Sequence, residues 1–212
     1  MQNDIHNDGD FRITRPERLE RLYGAVAPPS TLKETEYIHR AYRPFIEAAP
    51  FAVLATAGSA GLDVSPRGDP AGFIHIEDSR TLLLPDRRGN NRIDSLRNIL
   101  EDPRVSLLFL IPGIGETLRV NGSAEISIDP ALLARFAMAG NLPRSVLRIK
   151  VASVFFQCSR AIMRSRLWDP ATQIERARLP STGSILKAIS NDAIDGDAYD
   201  QALPERLKTT LY

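Results

Sequence analysis

The sequence predicts a mainly β protein with peripheral helices, an α+β fold built on a closed or partly closed antiparallel barrel. Six or seven short apolar segments are bounded by turn residues, which is the pattern of a strand meander. Only a few stretches between them have helical spacing. No Gly-x-Gly-x-x-Gly follows a strand, and strand–helix alternation is not sustained, so a parallel α/β sheet is disfavoured.

The predicted strands begin with a hairpin. Residues 51–57 (FAVLATA) are typical of a buried strand, Gly58 to Gly61 of a turn, and residues 62–67 of the returning strand. Further strands are predicted at residues 72–77, 81–85, 105–111, 117–128 and 146–157, with a bend at Gly122.

Two of the predicted helices have start signals in the sequence. One is expected to begin near residue 32, because Thr31 and Glu34 have capping-box spacing, and to kink or restart at Pro44. Another is expected to follow Gly89-Asn90-Asn91, which is predicted to cap it. Shorter helices are predicted at residues 129–140, 159–168 and 184–190.

The chain is predicted to have three parts. Residues 1–30 are polar and proline-punctuated and are interpreted as an N-terminal arm. Residues 31–170 hold the predicted barrel domain. Residues 171–212 are interpreted as a C-terminal helix and tail, because 191–204 are acidic and weakly patterned.

Composition excludes several classes of function. The 27 basic and 26 acidic residues leave a net charge of +1, so the chain lacks the positive field that recruits nucleic acid. No apolar run approaches the roughly 20 residues of a membrane-spanning helix, and the polar start does not resemble a signal peptide. The single cysteine, Cys158, excludes an internal disulfide. We therefore expect a cytoplasmic protein that binds neither nucleic acid nor membrane.

Residue types alone point to no catalytic centre. His6, His39 and His75 are scattered over an arm, a helix and a strand, so no metal-binding spacing appears. No Gly-x-Ser-x-Gly elbow is present. His75 alternates with two isoleucines and is interpreted as a partly exposed strand residue. The catalytic residues are left unassigned.

One group of residues has the chemistry of a phosphate site. Val64-Ser-Pro-Arg67 ends a strand, Leu82-Leu-Leu-Pro-Asp86 forms another, and Arg87-Arg-Gly-Asn-Asn-Arg92 opens a helix. Free N–H groups at a helix start attract anions, and guanidinium groups bind phosphate with paired hydrogen bonds. A solvated basic loop is the alternative interpretation. Within this group, Arg87 is expected to be a solvated neighbour.

These segments also resemble a known family. Together with Ala52-Val-Leu-Ala-Thr56, Asp102-Pro-Arg-Val-Ser-Leu-Leu-Phe109 and Leu118-Arg-Val-Asn-Gly-Ser123, they are similar to the core of pyridoxamine 5′-phosphate oxidase-related flavoproteins. The similarity spans roughly residues 36–168. It implies an FMN-binding split β-barrel and a homodimer, with FMN in the groove between subunits.

The resemblance implies roles for individual residues. Arg67 and Arg92 match the basic residues that reach the FMN phosphate, and the backbone of Leu84 and Pro85 matches the segment that lines the flavin. The resemblance places the remaining candidates beside these groups, on a strand that supplies polar contacts, or at the wall of the ring: Ser65, Arg88, Asn91, Arg119, Asn121 and Trp168. Trp168 has a second interpretation, as a hydrophobic plug of the barrel or dimer.

The sequence departs from authentic pyridoxamine phosphate oxidases at two places. Arg67 is followed by Gly-Asp-Pro-Ala-Gly72 in place of an apolar run that ends in lysine, and the arginine-rich C-terminal signature is missing. Both departures argue against oxidation of vitamin B6 phosphates.

The resemblance therefore implies an FMN-dependent oxidoreductase acting on an unidentified small molecule, because flavin carries the redox chemistry. Two alternatives stay open. One is a non-enzymatic flavin carrier or sensor. The other is a haem-binding split barrel, for which His75 is the histidine available as an axial ligand.

Overall fold

The computed structural model describes residues 11–212. Residues 1–10, which include His6 and the first third of the predicted arm, lie outside the described residues. The chain divides into two compact units, residues 1–33 and 34–212. In the first unit, α1 (Pro16–Tyr23) and α2 (Pro28–Leu32) both begin at prolines, which suit the first turn of a helix because their missing N–H would have no partner there.

The second unit is built on one seven-stranded sheet in which all strand pairs are antiparallel. The strands are β1 (Phe51–Gly58), β2 (Gly61–Gly68), β3 (His75–Asp78), β4 (Thr81–Asp86), β5 (Arg104–Leu110), β6 (Thr117–Ser127) and β7 (Ser145–Gln157). Their order is β2-β1-β5-β6-β7-β4-β3. The predicted class, a mainly β fold with peripheral helices and a split β-barrel, is confirmed.

The longest strands, β6 and β7, join the two halves of the barrel. Their register shifts between Asn121 and Gly122. A Cβ added at Gly122 would overlap the carbonyl of Lys150 on β7, so only glycine permits this close approach. The bend predicted at Gly122 coincides with this register shift, a local irregularity of the ladder.

Alternation along the strands separates a buried inner face from an outer face. The inner face supplies most of the core, including Ala52 and Leu54 of β1, Leu107 of β5, Val120 of β6 and Ile149 of β7. On the outer face, a smaller cluster of Leu83, Leu132 and Val146 lies beneath α5 (Pro130–Arg135).

Two predicted helix starts are wrong, although the restart expected at Pro44 is found, since Pro44 lies in the first turn of a helix. The stretch from residue 32 is not one helix, because α2 ends at Leu32 and α3 spans Arg43–Ala48; between them the backbone of Thr35 pairs with Val154. The helix α4 (Asp94–Glu101) begins after the predicted Gly89-Asn90-Asn91 cap. Asn91 has φ 61°, in the left-handed region, and a residue in this conformation cannot lie inside a right-handed helix. The helix therefore begins after Asn91.

The C-terminal part is more ordered than its sequence pattern predicts. After α6 (Arg160–Ser165) and two short 3-10 turns (Pro170–Thr172 and Arg176–Arg178), α7 (Thr182–Ile189) packs against α8 (Gly196–Thr210). The two helices cross at Gly183 and Gly196, where a Cβ on either residue would overlap the other's backbone. Residues 196–204 are thus helical, which corrects the predicted tail. Packing against α7 stabilises this helix, although the sequence pattern of these residues does not predict it.

None of the helices within residues 11–212 combines the length and the apolar composition needed to cross a bilayer.

Candidate functional site

The candidate site is a cavity of about 510 Å³ at the open side of the barrel. It lies between β2, the end of β4, the connecting segment 87–93 and the first turn of α4. The three segments that the sequence analysis grouped as a phosphate site therefore meet in space. Because the connection between β4 and α4 is short, the end of β4 and the start of α4 line the same cavity.

An ion pair crosses the split between β2 and β4, two strands that are not neighbours in the sheet. Arg67 Nη1 lies 2.5 Å from Asp86 Oδ1, and both side chains are largely buried. Because strand alternation points Arg67 to the inner side of the sheet edge, it can reach the end of β4. The pair fixes the guanidinium of Arg67 at the cavity wall.

A hydrogen-bonded relay continues from Arg67 to α4. Arg67 Nε donates to Ser65 Oγ at 3.3 Å, and Ser65 Oγ lies 3.1 Å from Ser95 Oγ. Ser95 in turn donates to the carboxylate of Asp63. Since the Ser95 hydroxyl gives its proton to Asp63, its oxygen is left to accept from Ser65. This relay holds the start of α4 against the inner face of β2.

A buried polar contact positions the rest of α4. Asn98 Nδ2 donates to Thr56 Oγ1 on β1 at 3.1 Å, and a Cβ added at Gly58 would overlap the Asn98 side chain. Glu101 accepts a hydrogen bond from the backbone of Ser59 at 2.6 Å, which holds the pKa of Glu101 below its usual value. The helix is thereby held along the β1–β2 hairpin with its first turn at the cavity.

The segment before α4 folds through its own side chains. Asn90 Oδ1 accepts from the backbone N–H of Arg92 at 2.9 Å, and Asn91 takes the left-handed conformation that asparagine tolerates better than most residues. Arg92 Nε donates to Asp94 Oδ2 at 2.5 Å, and this hydrogen bond raises the pKa of Arg92. The Arg92 side chain is 79% exposed, so it stands at the mouth of the cavity.

Arg87 is not the solvated neighbour that its sequence context predicts. Its Nε donates to Asp69 Oδ2 at 2.7 Å, and its Nη1 donates to the carbonyl of Phe136. Its side chain is mostly buried, because the segments that carry Asp69 and Phe136 close over it. The side chain is one wall of the cavity and belongs to the framework of the protein.

Two further guanidinium groups at the cavity, Arg88 and Arg144, have no carboxylate partner within residues 11–212. Sequence reasoning missed Arg144. It precedes β7, and its backbone N–H donates to the carbonyl of Asp86 at 2.9 Å. The pairing of β7 with β4 brings Arg144 to the cavity. No local sequence pattern predicts that pairing. Sequence reasoning also missed the cavity residues Asp63, Asp86 and Ser95. A signal existed for Asp63, because alternate residues of a strand lie on one face and Asp63 alternates with Ser65 and Arg67.

Six of the ten residues that the resemblance assigned to cofactor binding line this cavity: Ser65, Arg67, Pro85, Arg88, Asn91 and Arg92. Leu84, whose backbone is the expected contact, is not among the lining residues, and its side chain is buried in the core. The structure does not bring Arg119, Asn121 or Trp168 to the cavity of the same chain.

Arg119 and Asn121 lie on the outer face of the sheet. Residues paired across the strands place Asn121 in one row with Ser106, Ala55 and Val64, which faces away from the cavity. Asn121 accepts from Ser106 Oγ at 2.8 Å. The guanidinium of Arg119 lies 5.4 Å from the centre of the Phe155 ring. Both side chains therefore belong to a surface distinct from the cavity.

Trp168 follows α6 and holds a loop in place. Its Nε1 donates to the carbonyl of Ile114 at 2.7 Å, which fixes the connection between β5 and β6. The side chain does not line the described cavity. His75 is also outside the cavity: it is half-exposed on β3, 3.7 Å from Glu77 and edge-on to Phe136. Within residues 11–212, no three metal-binding side chains of His, Cys, Asp or Glu come together.

The cavity combines two kinds of surface. Guanidinium groups and the first turn of α4 supply hydrogen-bond donors of the kind that bind phosphate. Phe73, Pro85 and Leu96 supply apolar walls. The residues present therefore fit a ligand that joins an anionic group to an apolar body.

Comparison with solved structures found proteins of similar fold. HupZ from Group A Streptococcus has 19% identity over 57% of this chain and 95% of that chain, with a TM-score of 0.48. A putative pyridoxamine 5′-phosphate oxidase from Lactobacillus delbrueckii has 20% identity, the same coverage and a TM-score of 0.45. The FAD binding protein from Mycobacterium smegmatis has 12% identity, the same coverage and a TM-score of 0.40. Because each TM-score is below 0.5, these similarities carry no argument about function.

A search of curated proteins returned no match. The family model described as pyridoxamine 5′-phosphate oxidase matches residues 38–158, more than half of the chain. This range contains all seven strands, α4 and the whole segment 87–93. The chain therefore belongs to the pyridoxamine 5′-phosphate oxidase family.

Proposed function

We propose that this protein binds a flavin-type cofactor, FMN, with the phosphate held by Arg67, Arg92 and the first turn of α4. The observation that carries the proposal is that these groups line one cavity although they come from separate elements. A phosphate monoester carries about −1.5 to −2 charges at neutral pH, and guanidinium groups and helix N–H groups bind such charge well.

Existing ion pairs leave donors for a phosphate. A guanidinium group has five N–H donors. Arg67 uses Nε and Nη1 for Ser65 and Asp86, which leaves Nη2, and Arg92 uses only Nε for Asp94. Asp86 and Asp94 therefore orient the two guanidinium groups and leave some of their N–H donors free for a phosphate. Arg88 and Arg144 add positive charge at the same cavity.

The apolar walls and the open mouth support an oxidoreductase that acts on a small molecule. Phe73, Pro85 and Leu96 suit a flat ring, and the exposure of Arg92 marks an opening to solvent. Bound FMN supplies the redox chemistry through its isoalloxazine ring. The chain binds the phosphate, orients the ring and excludes water from its apolar side.

We further propose that the functional unit is a homodimer that shares the FMN site. The outer sheet face presents Leu62 and Val64, which are 88% and 65% exposed on β2, in a surface that continues to Arg119 and Asn121. Exposed apolar residues grouped on one face are typical of interaction surfaces. A two-fold dimer through this face is how Arg119 and Asn121 would contribute to a cavity between subunits.

The test of the cofactor is the absorption spectrum of the purified protein, with mass analysis of what heat releases. Bound FMN should give maxima near about 370 and 450 nm. A colourless protein that also fails to take up added FMN contradicts the proposal, and a haem band that is lost on replacing His75 supports the haem alternative. Anaerobic reduction of the bound flavin by NADH or NADPH supports an enzyme, whereas its absence supports a carrier or sensor.

A further inference from the structure

A tyrosine beyond α8 is hydrogen-bonded to the carboxylate that holds one wall of the cavity. The hydroxyl of Tyr212 donates to Asp69 Oδ1 at 2.8 Å, across 143 positions of sequence. This hydrogen bond raises the pKa of the Tyr212 phenol, because the neighbouring carboxylate opposes a second negative charge. The contact joins the C-terminal helices to the connection between β2 and β3.

The carboxylate that receives this hydrogen bond is the same one that holds Arg87. The side chain of Asp69 is only 2% exposed, and its other oxygen accepts from Arg87 Nε at 2.7 Å. The guanidinium of Arg87 lies 5.7 Å from the centre of the Tyr212 ring and also donates to the carbonyl of Phe136. Four segments of the chain thus meet around one ion pair: those of Asp69, Arg87, Phe136 and Tyr212.

Arg87 is the first residue of the cavity-lining segment 87–93. The middle of this segment has little else to hold it, because Arg88 has no carboxylate partner within residues 11–212 and a Cβ built at Gly89 would meet open space. The hydrogen bonds of Asn90 and Arg92 are local, to residues of 90–94. The position of the segment therefore depends on its two ends, Arg87 and the start of α4.

We propose that Tyr212 is a positioning residue for the cavity: its phenol fixes Asp69, Asp69 fixes Arg87, and Arg87 sets the position of segment 87–93. The effect of Tyr212 on FMN binding rests on the proposed function, in which Arg92 of this segment binds the phosphate. Without the phenol, one oxygen of a buried carboxylate loses its donor, and the Arg87 pair is freer to shift.

Tyr212→Phe tests this by removing only the hydroxyl. The matched control is Tyr199→Phe on α8, whose ring lies 4.4 Å from the Arg206 guanidinium and whose hydroxyl has no hydrogen bond within residues 11–212. Hydrogen–deuterium exchange on the flavin-free full chain should show amides of 87–93 exchanging about 3- to 10-fold faster in Tyr212→Phe, and unchanged in Tyr199→Phe. The midpoint of global unfolding should stay close to wild type in both.

Titration with FMN gives a second, separate readout. We expect Tyr212→Phe to bind FMN about 5-fold more weakly, and to add no further loss in an Asp69→Asn background, because both changes break the same connection. Exchange in 87–93 that does not change in Tyr212→Phe overturns the proposal, and so does a full additional loss in the Asp69→Asn background. If wild type binds no FMN while Tyr212→Phe still speeds exchange, the FMN assignment fails and the positioning role stands.

Discussion

The two faces of strand β2 differ in their chemistry. Toward the cavity, Asp63, Ser65 and Arg67 all take part in one network of hydrogen bonds. On the opposite face, Leu62 and Val64 stand mostly in solvent. Because side chains alternate along a strand, one element of eight residues supplies both surfaces.

This difference would allow one sheet edge to bind a ligand on one face and a partner chain on the other. The polar face is already fixed in place by Asp86 and Ser95, as a site for a charged ligand should be. Leu62 and Val64 have no polar side-chain atoms with which to form such a network, and their exposure is explained if a second chain covers them. Substitutions on each face should therefore have different effects.

The largest effect is expected on the apolar face, from Val64→Lys. In a single chain the lysine stays in solvent and stability should change little. In the proposed dimer it is buried without a partner, at a cost of about 3–5 kcal/mol, which weakens association more than about 100-fold. Light scattering should give about twice the 23.5 kDa chain mass for wild type and one chain mass for the variant.

Ile128→Lys is the matched control, since Ile128 is also exposed but lies beyond the end of β6. It should leave the dimer intact. A wild-type monomer that binds FMN tightly contradicts the shared site.

On the polar face, Arg67→Ala should weaken FMN binding by about 10- to 150-fold, because hydrogen bonds to charged groups contribute about 1.5–3 kcal/mol. Riboflavin lacks the phosphate, so its affinity should change little. Fluorescence titration of both ligands measures the difference. An equal loss for the two ligands means that Arg67 acts on the ring or on the closure of the barrel through Asp86.

Arg92→Ala should have a smaller effect, about 10-fold for FMN, because its exposed side chain binds in a more solvated environment than Arg67. Arg97→Ala changes an exposed arginine on α4; it is the control and should bind FMN as wild type does. The same titration with riboflavin should show no change in either variant. A loss in Arg92→Ala as large as in Arg67→Ala would mean that exposure does not decide the contribution.

The smallest effect is expected from Ser95→Ala, about 3- to 5-fold in FMN affinity, because its two hydrogen bonds, to the Asp63 carboxylate and to Ser65, position the site and do not reach the proposed phosphate directly. The change cuts the relay between Ser65 and Asp63 but leaves Arg67 paired with Asp86. Isothermal titration calorimetry is sensitive enough to detect it. Unchanged affinity would show that the relay only holds α4.

Much of the strand framework could be predicted from the sequence, because it depends on short-range patterns. Alternation and turn residues give β1, β2 and β5 nearly to the residue. The proximity of Pro85, Arg92 and segment 87–93 also follows from order along the chain, since the end of β4 and the start of α4 are joined by a short connection. Arg67 lies on β2, and its approach to the end of β4 across the split is a tertiary contact that order along the chain does not give.

The sequence alone determined the split-barrel class, the family resemblance and most of the candidate phosphate ligands. Tertiary structure decided the burial of Arg87, the arrival of Arg144 at the cavity, the separation of Arg119 and Asn121 from it, and the folding of α8. Each of these depends on contacts between residues far apart in sequence, of which Asp69 with Tyr212 is the longest. A local sequence pattern predicts the conformation of a segment and which of its faces is apolar. Which other segment covers that face is decided only when the strands pair and the helices pack.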